Sequence, residues 1–258
     1  MHAVTLAWVV LATAIGGVLS VVVAAALTLA VLTKIVHHLV SLSAGVLLAT
    51  ALLDLLPEAF SAQAPPQALF ATLLGGLLFF FLLEKAELYR HTHHHEGDEH
   101  RHHHGFDRQQ AGRGGWSVIL GDSIHNFCDG VIIAAAFLAD TRLGVVTSIA
   151  IVAHEIPQEI GDFIVLLNAG FSRVRAYVFN LLCSLLAVLG GVLGYATLDR
   201  ASDLIPYVLV FASSGFIYIA VSDLMPQMQR RATVRESIPQ VLLIGLGVLI
   251  VLFLTHGH

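Results

Sequence analysis

Eight apolar runs, each long enough to cross a bilayer, decide what this chain can become. They fall at about residues 5–31, 38–60, 67–88, 116–139, 144–168, 176–198, 205–226 and 237–255, and a membrane-crossing helix needs roughly 20 apolar residues. Polar or turn residues separate them, such as Ala64-Pro65-Pro66 and the long stretch from Tyr89 to Gly115. In hydrocarbon only helices and closed barrels satisfy their own backbone polar groups, so runs of this length predict an all-α polytopic membrane protein with eight transmembrane helices. Composition agrees, since 57% of the 258 residues are hydrophobic and 12% are charged, about half the charged share of a soluble domain. A soluble enzyme is excluded on that ground, and no nucleic-acid partner is expected. Eight spans leave little chain for anything else, so residues 1–258 read as a single transmembrane domain with a histidine-rich loop at 89–115. Cys128 and Cys183 both lie in apolar runs, which rules out a disulfide framework. No cleavable signal is expected either, because the Met1 end lacks a basic region and its first apolar run is long enough to span.

Charge placement predicts the orientation. If the amino terminus is extracytoplasmic, the loops after odd-numbered spans and their flanks are cytoplasmic. They hold Lys34, Lys85, Arg90, Arg101, Arg108, Arg113, Arg173, Arg175, Arg230, Arg231 and Arg235, against Arg142 and Arg200 on the other side. Eleven against two follows the positive-inside bias and puts both termini outside. The second span ends Asp54-Leu55-Leu56-Pro57 and the seventh ends Asp223-Leu224-Met225-Pro226. Those spans run in opposite directions under this topology, as an inverted-repeat transporter requires, although two proline-terminated spans also arise by chance.

The fourth and fifth spans carry the chemistry. They hold Asp122, His125, Asn126, Asp129, His154, Glu155, Gln158, Glu159 and Asp162, with no Lys or Arg at 116–141 or 144–170. An ionisable residue at the bilayer centre costs roughly 2.5–3.5 kcal/mol, so five central charged acids would cost on the order of 12–17 kcal/mol. Protons or a metal cation must neutralise them. The spacing selects the metal. His125 and Asp129 are four apart and share a helix face; His154 and Gln158 repeat that spacing, and Glu155 with Glu159 form a second such pair. Two such helices face to face gather two imidazoles, a carboxylate and an amide oxygen at one point. Asn126 and Glu155 could complete a second, oxygen-rich point beside it. Imidazole with carboxylate suits zinc and other first-row divalent cations better than magnesium or calcium. Pro157 sits within the second motif, removes a helix hydrogen bond and frees the carbonyl of Ala153. Irregular backbone at membrane depth is tolerated where it lines a cavity.

The stretches His125-Asn126-Phe127-Cys128-Asp129-Gly130 and His154-Glu155-Ile156-Pro157-Gln158-Glu159-Ile160-Gly161-Asp162-Phe163 resemble the paired signatures of the ZIP (Zrt/Irt-like) metal transporters. Eight spans, extracytoplasmic termini and a histidine-rich loop after the third span extend the resemblance along the chain. It implies a compact, often dimeric bundle with inverted repeats, sitting in the lipid bilayer. The activity it implies is uptake of zinc and related divalent cations (Cd2+, Fe2+, Mn2+) toward the cytoplasm, through a binuclear site between the fourth and fifth spans. The family's metal ligands fall on His125, Asn126, Asp129, His154 and Glu155. Gln158 occupies a position that is usually His or Glu, so a weaker neutral donor there bears on affinity and metal preference. Glu159 matches the motif's closing carboxylate. Asn180 in the sixth span, and Asp54 or Glu58 in the second, are candidate pathway residues. The compact length and short loops suggest a bacterial plasma membrane, the inner membrane.

Each feature has a blander reading. The polar groups of the fourth and fifth spans could bond neighbouring helices structurally, but their number and the missing counter-charges oppose that. Cys128, Cys183 and the three Met residues read as packing, and Gly75-Gly76 and Gly190-Gly191 as sites of close helix approach. His154-Glu155-x-x-Gln158 approaches the H-E-x-x-H motif, so the rival function is an intramembrane zinc metalloprotease. That motif's second His is missing here, and Pro157 intervenes. The segment 91–104 holds eight histidines with Glu96, Asp98 and Glu99, a composition that cannot bury a core; it is a low-specificity metal trap or a solvated linker. Deleting residues 91–104 is expected to leave cation uptake intact and to lower cytoplasmic metal retention. Radiolabelled zinc uptake and washout in cells carrying the inserted deletion protein measure both, and complete loss of uptake would contradict the expectation.

Overall fold

A computed structural model describes residues 2–30, 34–92, 108–229 and 234–256, and most of the histidine-rich segment lies outside them. The described residues form a bundle of eight helical spans, with no strand among them. The first is His2–Ala30, the third Pro66–Thr92, the fourth Arg108–Ala139, the fifth Thr141–Asn168 and the eighth Val234–His256. The sixth runs as Arg173–Ser184 and Leu186–Leu198, interrupted at Leu185. The second and seventh are built alike: Lys34–Ala49, a π-helical turn Thr50–Leu55 and Leu56–Ser61 in one, and Ile205–Tyr218, a π-helical turn Ile219–Leu224 and Met225–Gln229 in the other. The third and fourth helices extend past the apolar runs into the expected loop at 89–115. The third continues through Thr92, four residues past its apolar run.

Seven spans are long and apolar enough to cross a membrane by length and composition. The fifth is the exception, although its 28 residues give about 42 Å of helix. Its acids lower its hydropathy, and it survives in the bundle because Glu155 and Glu159, with His154 beside them, are buried. The ends of this helix are sharply set. Asp140 is the N-cap and accepts from the Arg142 and Leu143 amides, and Gly170, at φ +88°, closes it with bonds from Gly170 N–H to Leu167 and Phe171 N–H to Leu166. That pair of bonds around a left-handed glycine is a Schellman cap.

Packing sorts the spans into two groups. The first, fourth, fifth and sixth pack mainly on one another, as do the second, third, seventh and eighth; the groups meet where the fifth packs on the second and the fourth on the seventh. Each group is pinned by a reciprocal glycine contact. A Cβ on Gly130 would fall on the Ala187 carbonyl and one on Gly190 on the Phe127 carbonyl, while Gly45 and Gly247 meet the Ile244 and Leu42 carbonyls in the same way. Backbones approach this closely in membranes because small residues let van der Waals packing replace the missing hydrophobic drive. Of the expected Gly75-Gly76 contact only Gly76 takes part, against Ser214; Gly75 faces open space. Phe70, Leu74, Leu78 and Leu82 of the third span, and Leu242, Leu249 and Phe253 of the eighth, are exposed, which is the apolar exterior a lipid-facing helix needs.

The Asp-Leu-x-Pro echo now has a structural counterpart. Pro57 and Pro226 each follow a π-helical turn, in which Leu56 N–H reaches the Ala51 carbonyl and Met225 N–H that of Ala220, five residues back. A π-bulge is a common answer to a break in the helical ladder, and the two spans make it at matching positions. Gly130→Val is expected to destabilise the bundle by at least the 1–3 kcal/mol of ordinary overpacking, because backbone and not a movable side chain stands in the way. Thermal unfolding in detergent measures this, and Gly75→Val, into open space, is the control.

Candidate metal centre

One turn of helix places His125 and Asp129 on the same face of the fourth span, with Nε2 and Oδ2 3.7 Å apart. The fifth span presents His154 and the adjacent Glu155 to that face. His125 Nε2 lies 3.3 Å from His154 Nε2 and 3.4 Å from Glu155 Oε1, and His154 Nε2 lies 3.5 Å from Asp129 Oδ2. Two nitrogens and two carboxylate oxygens therefore stand around one point. Bonds of about 2.0–2.1 Å from a tetrahedral zinc put its ligand atoms roughly 3.3–3.4 Å from each other. The observed spacings run from 3.3 Å between the imidazole nitrogens to 3.9 Å between His154 Nε2 and Glu155 Oε1, at or somewhat beyond that requirement.

The backbone prepares one of these donors. His154 Nδ1 is 3.0 Å from the Ala150 carbonyl oxygen, which can only accept, so the ring proton sits on Nδ1 and the Nε2 lone pair is turned to the other donors. This is the outer contact that commonly orients a metal-binding imidazole. Phe216 of the seventh span packs edge-on against the same ring, centroids 5.9 Å apart.

A second group adjoins the first. Asp122, Glu155 and Glu159 bring one oxygen each within 4.8 Å of one another, so Glu155 belongs to both. Asn126 Nδ2 donates to Asp122 Oδ1 at 2.8 Å, and Gln158 Nε2 approaches the same oxygen at 3.5 Å. Asn180 Nδ2 donates to the Glu159 carbonyl at 3.3 Å. Glu159 is fully buried, and neither its carboxylate nor that of Glu155 has a hydrogen-bond partner among the described residues. An unsatisfied buried acceptor costs about 1–3 kcal/mol, more when charged. A cation among these oxygens would satisfy them.

Of the six residues expected to bind metal, the structure gathers His125, Asp129, His154 and Glu155. Asn126 and Gln158 stand one step away, with their amides against Asp122. Asp122 and Glu159 enter the oxygen-rich group, and the signal for Asp122 was present in the sequence: residues 122, 125, 126 and 129 share one helical face. Among the candidate pathway residues, Asn180 touches the centre, Asp54 is buried at the π-turn of the second span, and Glu58 is exposed. Cys183 packs its thiol against Ser123, 3.3 Å away, and both cysteines are free.

A cavity of about 630 Å³ opens onto the centre, lined by Asp122, His125, His154 and Gln158 and, farther out, by Asp162 and Asp223. On the opposite side, beside Asn126, Asp129 and Glu155, the space is about 10 Å³, barely the room of one water. The centre thus meets a wide cavity on one side and a space of about one water's room on the other. Glu159→Gln, which removes a buried carboxylate's charge, is expected to stabilise the protein in chelator by about 1–3 kcal/mol, read as a higher unfolding temperature. Thermal unfolding with and without a divalent cation tests it; a parent protein more stable than the variant in chelator would contradict it.

A family model described as ZIP zinc transporter matches residues 86–255. Human zinc transporter ZIP10 is 38% identical over 151 residues, which cover 56% of this chain and 18% of that protein. Zinc transporter ZIP13 of Pongo abelii is 32% identical over 232 residues, 83% of this chain and 65% of its own length. The metal cation symporter ZIP14 of Bos taurus is 36% identical over 153 residues, 55% of this chain and 31% of its own. The chain thus matches less than a fifth of ZIP10 and just under two thirds of ZIP13.

Proposed function

Since the chain belongs to the ZIP zinc transporter family, we propose that it carries divalent cations, zinc foremost, across its membrane toward the cytoplasm. The observation that carries this reading is the convergence of His125, Asp129, His154 and Glu155 from two adjacent membrane spans, with no cationic side chain in either core. We assign the cation to that group and to the adjoining Asp122, Glu155 and Glu159, with Asn126 and Gln158 setting the charge and direction of Asp122. Cd2+, Fe2+ and Mn2+ suit the same nitrogen and oxygen donors.

One-sided access supports a carrier. The wide cavity is lined by the starts of the second and fourth spans and the ends of the third, fifth and seventh. With the amino terminus outside, those ends lie on the side of the eleven basic residues, so the cavity faces the cytoplasm. Toward the opposite face the space beside Thr13, Gly16 and Gly17 is about 10 Å³, narrower than the cavity, and uptake requires a second arrangement that widens it. We place the protein in a plasma membrane, for which the short loops of this chain argue; the relatives named above come from animals.

The protease reading finds no support. A hydrolase of that type uses its Glu as general base on metal-bound water and a second His four residues after the first. Here that position is Gln158, and its amide turns to Asp122. Purified protein in liposomes is expected to take up radiolabelled zinc down an imposed gradient without cleaving peptides. His125→Ala, Asp129→Ala and His154→Ala should each lower uptake at least tenfold while the proteins still insert and fold. Unchanged uptake in all three would remove this site as the path.

A further inference from the structure

Serine and threonine hydroxyls in membrane helices usually bond back to their own chain. Ser20, Ser41, Ser148 and Ser213 do so, each donating to the carbonyl four residues earlier. Ser43 does not. Its hydroxyl donates to the carbonyl of Ala153, on the fifth span, and it is 1% exposed. That carbonyl needs an outside donor, because its helical partner would be the nitrogen of Pro157, which has no hydrogen.

We propose that Ser43 is a positioning residue for the cation centre: by holding the Ala153 carbonyl it fixes the backbone from which His154 and Glu155 project. The Ala153 carbonyl belongs to the same peptide unit as the His154 nitrogen, so a tilt of that unit swings both side chains. The His154 ring is already held at Nδ1 by Ala150; Ser43 holds the main chain beneath it. Without the hydroxyl, the competing partner is water from the cavity, whose wall includes His154 and Pro157. Ser43 also reaches across from the other packing group, so the bond ties the geometry of the centre to the contact between the groups. The proposal rests on the reading that His154 and Glu155 hold the transported cation.

The test is a double-mutant cycle on zinc uptake in liposomes, with zinc-free thermal unfolding measured alongside. Ser43→Ala should raise KM roughly five- to tenfold with a smaller change in maximal rate, and Ser43→Thr, which keeps the hydroxyl, should stay within about twofold of the parent. Pro157→Ala supplies the missing N–H, so adding Ser43→Ala in that background should change KM less than about twofold. An unchanged KM in Ser43→Ala, or an equal rise in both backgrounds, overturns the proposal. So does a lower unfolding temperature with no change in KM, which would make the bond purely structural. A parent protein that takes up no zinc overturns the transport reading itself, and the control arm shows that separately.

Discussion

Glu155 faces two sets of donors at once, the imidazoles of His125 and His154 on one side and the carboxylates of Asp122 and Glu159 on the other. Negative charge of this density inside a bilayer has to be met by something, and no Lys or Arg lies in the cores of these two spans. Most of the architecture follows from that constraint. The fifth span is too polar to face lipid, so the first, second and fourth spans wrap it. The fourth can bring its own acids to the same place only by lying close to its neighbours, and the glycine contact with the sixth span permits it. Transport, as proposed, gives the residual charge its use, since a cation that neutralises it is held reversibly.

Interrupted helices serve the same end. Pro157 breaks the ladder of the fifth span one turn from the donors, and the exposed carbonyl is taken by a hydroxyl of another span. Pro57 and Pro226 are accommodated by π-helical turns at matching places in the second and seventh spans. Each break leaves backbone groups that must be satisfied within the protein, because hydrocarbon offers no partner. At Ala153 the partner comes from another span, whereas at Pro57 and Pro226 the π-helical turns keep the bonds within their own helices.

Much of this was legible in the residues. Eight apolar runs predicted eight spans in the observed places, and the i, i+4 pairs His125/Asp129 and Glu155/Glu159 are on shared faces as the helical period requires. The freed carbonyl of Ala153 followed from the chemistry of proline alone. Other features did not follow. The Asp-Leu-x-Pro echo is four residues long, too short to announce a π-turn in each span, and Gly75 and Gly76 look equivalent in sequence although only one meets a neighbour. The grouping of His154 with Glu155, one residue round the helix, was less direct than its pairing with Gln158, four residues on.

Sequence by itself determined the all-helical membrane class, the number of spans and the helical faces on which the candidate ligands lie. These depend on local rules: apolar length against bilayer thickness, and a period of 3.6 residues. Tertiary structure decided the rotation and depth at which the fourth and fifth helices meet. A helical face is broad enough to carry Asp122, Asn126, Gln158 and Glu159 near the centre in several arrangements. Which oxygen meets which nitrogen depends on how far the helices turn toward each other, and that depends on contacts such as the backbone approach of Gly130 to Ala187 and the Ser43 hydroxyl on the Ala153 carbonyl, between residues remote in sequence that no periodicity relates.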